Sequence, residues 1–154
     1  MGNKRSPLRQ LAIPAILLSA FLSAQTAWAD IDIIINPHNP ITRLSRQDLR
    51  RIFLGRMPLF PQTTREIHPI DLPDDNATFI EFYRRVVKLE GIRLKRYRVY
   101  YLFSGRGRLP EQAKTPKDVI NRVATDPAAI GYVDKRDINA TVKILLVLPG
   151  SGAH

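Results

Sequence analysis

The chain has 154 residues, 24 basic against 14 acidic, for a net charge of +10 at neutral pH. It has no cysteine, which excludes a disulfide framework, a thiolate zinc site and a cysteine nucleophile. The basic balance favours acidic partners such as phosphate, anionic lipid, polyanionic polysaccharide or nucleic acid, without choosing among them.

Lys4, Arg5 and Arg9 form a positive leader ahead of the apolar run LAIPAILLSAFLSA. That run is too short to span a membrane comfortably, and it ends in TAWAD, where Ala27 and Ala29 offer a small-residue cleavage site before Asp30. Residues 1–29 therefore read as a secretory signal peptide, with an uncleaved anchor as the alternative. Residues 30–154 suit one α/β domain with its own core, expected to be exported. Export without cysteines fits a bacterial periplasm.

In IDIIINP, residues 31–37, a β-branched run ends at proline, which predicts a buried strand. The following NPHNP must turn. LSRQDLRRIFLG predicts a helix, with Ser45 as N-cap and Asp48 three residues on. Leu49, Ile52 and Phe53 share its apolar face, and Gly55 ends it. Its arginines read as a solvated face. A short strand is expected at residues 66–71. DDNATFIEFYRRVVKLEG predicts a second amphipathic helix, capped by Asp75 or Asn76 and ended by Gly91. IRLKRYRVYYLF reads as a third helix, although its tyrosines and β-branched residues also suit a strand. FSGRGRLP follows as a loop. TPKDVINRVAT opens a fourth helix with Thr115 as N-cap and Pro116 in its first turn. AIGYVD and TVKILLVLP predict the last two strands. The order implies one modest sheet with helices on its faces.

LSRQDLRRIFLG, DNATFIEFYRR and VATDPAAIGYVD, in that order, resemble segments of the phosphate-binding proteins of ABC transporters, within the type 2 periplasmic binding protein superfamily. The resemblance runs from about residue 31 to residue 133. It implies a single periplasmic-binding-protein-like lobe with helices on both faces of the sheet. It also implies solute binding, of phosphate or another small oxyanion, for an ABC-type uptake system. The implied partner is an inner-membrane transporter or another envelope protein.

In that family an arginine and a serine-glycine-threonine stretch hold the anion at the start of the second helix. Here the stretch is DLPDDNATF, with Asp71 in the arginine's place and only Thr78 carried over. Carboxylates at that helix start favour the helix and repel a phosphate. Two expectations follow. One is a weak oxyanion site built from Asn36, Asn39, Thr78 and the loop residues Ser104, Gly105, Arg106 and Gly107. The other is a periplasmic interaction or accessory module that has kept the fold and lost the ligand.

Each candidate has a plainer reading. Asn36 and Asn39 can bond their own turn. The glycine-arginine loop is either a backbone nest for an anion or a turn with exposed arginines. Asp71, Asp74 and Asp75 are either an acid/base or cation cluster or, as read here, a helix cap with solvated neighbours. His38, His68 and His154 lack metal-ligand spacing. No GxxxxGK[ST] or GxSxG pattern occurs, so no cofactor and no catalytic residue is assigned. RLKRYRVYY could stack and pair with nucleic acid, but the export leader disfavours it. Its tyrosines are expected to pack inward beneath the basic stems.

Overall fold

In the computed structural model, residues 29–150 and Gly2 are described. The expected leader, apart from Ala29 and Gly2, lies outside them, as do residues 151–154. Five strands form one sheet in the order β3-β2-β4-β1-β5. They are β1 (Ile31–Ile35), β2 (His68–Asp71), β3 (Glu111–Gln112), β4 (Ala129–Asp134) and β5 (Lys143–Leu148). β1 runs antiparallel to both β4 and β5, while β2 runs parallel to β3 and β4. The edge strand β3 was not expected from sequence. Two residues are too few to show an alternating pattern.

The helices are α1 (Arg46–Phe53), α2 (Ala77–Phe82), α3 (Gly91–Phe103) and α4 (Pro116–Thr125). Adjacent residues of β4 explain how they divide between the two faces. The ring of Tyr132 stacks on Phe82, with centroids 3.9 Å apart, and meets Phe53 edge-on. Its neighbour Gly131 points the other way, where an added Cβ would lie 2.6 Å from Val119 Cγ1 of α4. Successive strand residues face opposite sides, so α1 and α2 cover one face and α4 the other. In β1, Ile31, Ile33 and Ile35 on one face and Ile34 on the other are all almost fully buried, as a doubly covered sheet requires.

The start of α1 forms as its sequence requires. Ser45 Oγ accepts from the Asp48 N–H at 3.0 Å, and Asp48 returns a bond from the Ser45 N–H. Gly55 follows the helix with φ +74°. Arg50 is not simply solvated, because its Nε donates to the Val87 carbonyl at 2.8 Å and ties α1 to the end of the second helix.

That second helix departs from expectation at its end. After Phe82 it loosens into a π-helical turn over Tyr83–Val87, and Lys88, with φ +60°, ends it. Gly91 instead opens α3. IRLKRYRVYYLF is helical, and its tyrosines divide. Tyr101 is buried and Tyr97 half-buried, whereas Tyr100 faces outward.

Candidate functional site

The candidate residues fall at separate places on the sheet. Ile35, at the end of β1, lies beside Ile130, which pairs with Pro69 at the start of β2. Asn36 and Asn39 therefore sit at the opposite end from Asp71, where β2 finishes and leads to Thr78. Both asparagines are buried and engaged within the fold. Asn36 Nδ2 donates to the carbonyls of Val123 (3.0 Å) and Ala124 (2.8 Å), and its Oδ1 accepts from the His38 N–H. Asn39 Nδ2 donates to the Pro127 carbonyl, and its Oδ1 accepts from the Ile41 N–H. Together they fasten the loop after β1 to the end of α4.

Thr78 occupies the first turn of α2, where the resemblance located it. The cap is Asn76, whose Oδ1 accepts from the N–H groups of Thr78 (2.8 Å) and Phe79 (3.4 Å). Two donors that an anion would use there are already satisfied. Thr78 shares a shallow hollow with Ile31, Glu81, Asp134 and Arg136.

Ser104, Gly105, Arg106 and Gly107 wrap the end of α3. Ser104 Oγ donates to the Tyr101 carbonyl. The Tyr101 hydroxyl bonds the carbonyls of Gly55 (2.5 Å) and Arg106 (2.9 Å). Gly105 and Gly107 have φ of +61° and +143°, and a Cβ on Gly107 would lie 2.8 Å from that hydroxyl. Both glycines thus follow from the turn that encloses Tyr101. Arg106 and Arg108 are exposed. Gly107 and Arg108 line a cleft of about 750 Å³ together with Arg98, Glu66 and Pro69.

The most organised polar cluster centres on Asp71. Asp71 is 1% exposed, so the expectation of a cap with solvated neighbours fails at this residue. Its Oδ2 accepts from the Tyr83 hydroxyl at 2.6 Å and from Arg98 Nη2 at 2.8 Å, and its Oδ1 accepts from the Tyr132 hydroxyl at 2.7 Å. The other guanidinium nitrogen of Arg98 reaches the exposed Asp74 at 3.1 Å. Gln112 of β3 also donates to Asp74. Arg98 further lies over the rings of Phe79 and Tyr83.

Burial pushes the Asp71 carboxyl up to about 6, against the two tyrosine hydroxyls and Arg98, which pull it down. Burial and the neighbouring Asp71 raise both tyrosine hydroxyls well above their usual range. Burial pulls the Arg98 guanidinium down, but Tyr83 and Asp71 together leave it raised. Sequence reasoning missed this cluster because Asp71, Tyr83, Arg98 and Tyr132 lie on four different elements. No spacing along the chain announces it.

Comparison with solved structures puts the architecture in context. An ABC-type phosphate transport receptor from Vibrio cholerae superposes with a TM-score of 0.61 at 17% identity, covering 77% of this chain and 46% of its own. A putative phosphate ABC transporter substrate-binding protein with bound phosphate, from Clostridium perfringens, gives 0.62 at 16% identity over 77% of this chain and 45% of its own. PstS from Borrelia burgdorferi gives 0.57 at 18% identity, covering 78% of this chain and 48% of its own. This chain has the fold of one phosphate-receptor lobe. It spans about half the length of those receptors. No protein-family model matches it, and no curated protein matches its sequence. Among the described residues, no group of histidine and acidic side chains could hold a metal ion, and no helix is long and apolar enough to cross a membrane.

Proposed function

We propose that this chain is an exported, non-enzymatic binding domain that works by contact with an envelope component, using a phosphate-receptor lobe without its enclosed phosphate. The observation that carries this reading is the double grip of Arg98 on Asp71 and Asp74. At the end of β2, where the resemblance locates an anion, the chain supplies its own carboxylates to its own guanidinium. A phosphate there would face Asp74 and Asp75 and find the Asn76-capped donors taken. Export rests on the leader read from residues 1–29. Photo-crosslinking in intact cells, from probes on α3 and the 104–107 loop, tests the reading. A discrete crosslinked envelope product is expected; the protein recovered uncrosslinked from every position refutes it.

A second reading keeps a small oxyanion as ligand, for an ABC-type uptake system. It is favoured by the cleft that Gly107 and Arg108 line beside Arg98. In this reading phosphate meets the loop of Ser104, Gly105, Arg106 and Gly107 rather than Thr78, Asn36 or Asn39. Calorimetry with phosphate and with sulfate at low salt tests it. Heat that disappears in Arg106→Ala and Arg108→Ala supports the loop; no heat at millimolar anion removes the reading.

A further inference from the structure

We infer that the outward face of α3 seats on an anionic lipid bilayer, an inference that rests on the contact reading above and names the surface contacted. Nine large apolar side chains are exposed among the described residues, and five of them belong to this one helix. At 100° per residue, Ile92, Val99 and Phe103 align along one side, flanked by Tyr100 and Leu102. Phe103 is 89% exposed, and the other four are each more than half exposed.

This face cannot be satisfied by rolling the helix inward, because the opposite side is already fastened. Leu94 is buried, Tyr97 donates to the Leu54 carbonyl at 2.6 Å, Tyr101 bonds Gly55, and Arg98 holds Asp71. The helix presents its apolar stripe on a rigid mount.

The charges around the stripe select the partner. Residues 91–108 contain no aspartate or glutamate. Arg93, Lys95 and Arg96 are exposed on the helix, and Arg106 and Arg108 on the loop beyond it. Asp74, Asp75 and Glu90 border a hollow with Lys95 at the first turns of α3, and Glu66 stands across the cleft that Leu102 and Arg108 line. The segment from Val99 to Arg108 contributes basic side chains and no acidic one of its own. A second copy docked through the same face would bring these cations together. Exposed apolar side chains with long basic ones set among them, Lys95 and Arg96 lying between Ile92 and Val99, suit a helix face laid on an anionic membrane interface. The rings enter the acyl boundary and the cations meet lipid phosphates.

The test uses the full chain, which has no native cysteine, so a single Phe103→Cys carries an environment-sensitive fluorophore. Lys117→Cys, at an exposed position of α4, reports the opposite face. A label at 103 reads this face separately from any binding by residues 1–29. With phosphatidylglycerol vesicles, the label at 103 is expected to shift to the blue and be quenched by lipid-borne quenchers, while the label at 117 does not respond. Phosphatidylcholine vesicles are expected to give roughly a ten-fold weaker response, and Arg93→Glu with Arg96→Glu to lose at least as much on anionic vesicles. Equal responses at both positions, no response at 103, or equal responses to both lipids overturn the inference. If position 103 stays in water on vesicles but crosslinks to an envelope protein in cells, the contact reading stands and the lipid assignment falls. Disulfide-linked pairs of Phe103→Cys chains in place of the lipid response would assign the face to a second copy.

Discussion

Asp71 offers a sharp test, because two opposing forces act on one buried carboxyl. Burial favours the neutral acid, whereas Tyr83, Tyr132 and Arg98 favour the carboxylate, and burial prevails, lifting the group from 3.8 to about 6. A carboxyl raised in the folded state binds more protons there than in the unfolded chain at every pH between those values. Its contribution to stability is therefore present at low pH and is lost as pH rises through about 6. From pH 5 to pH 7 the linkage relation gives a loss of about 1 kcal/mol. Asp71→Asn cannot titrate and lacks this dependence. It also leaves Arg98 against a neutral amide and should cost about 2 kcal/mol at pH 7. Urea unfolding followed by circular dichroism at pH 5, 6 and 7, for both proteins, isolates the group from every other carboxylate. The advantage of the native protein over Asp71→Asn should be about 1 kcal/mol larger at pH 5 than at pH 7. If the advantage shrinks toward pH 5, the hydroxyls and Arg98 outweigh burial and Asp71 is a stabilised carboxylate. A constant difference would mean that Asp71 does not titrate in this window.

Other substitutions probe how the elements are held. Asn76→Ala removes the acceptor for two N–H groups of α2 and should cost about 1 kcal/mol by chemical denaturation, whereas Asn76→Asp retains most of it. Gly131→Ala drives a Cβ to within 2.6 Å of Val119 on α4, and a loss of about 1–3 kcal/mol is expected; an unchanged unfolding midpoint would contradict the packing. Tyr101→Phe deletes the hydroxyl bonded to Gly55 and Arg106, which should cost about 1 kcal/mol and raise proteolysis within residues 104–108. Arg106→Ala, by contrast, should change stability by less than about 0.5 kcal/mol, so any ligand effect of that variant is a binding effect.

Much of the fold was legible because local chemistry and tertiary contacts agree. The reciprocal Ser45–Asp48 cap, Thr115 and Pro116 at the start of α4, and the isoleucine run of β1 are each encoded within a few residues. The AIGYVD strand was legible as well, and the structure explains its small and large neighbours: Gly131 admits α4, and Tyr132 stacks under α2. What local pattern missed was set from a distance. The second helix ends at Lys88 rather than Gly91 after a π turn whose end is bonded by Arg50 from α1. β3 exists because β2 presents an edge.

The candidate site divides in the same way. The sequence alone determined a basic, cysteine-free chain, an α/β order, and a group of aspartates ahead of the second helix. Only the tertiary structure decided what those aspartates do. It buried Asp71 beneath two tyrosines from other elements and turned Arg98 inward to clasp it. It also assigned the asparagines of the first loop to internal bonds and turned five apolar residues of α3 outward. The reason is physical. Whether a charge is solvated or buried, and whether an apolar side chain is core or surface, depends on what approaches it from elsewhere in the chain.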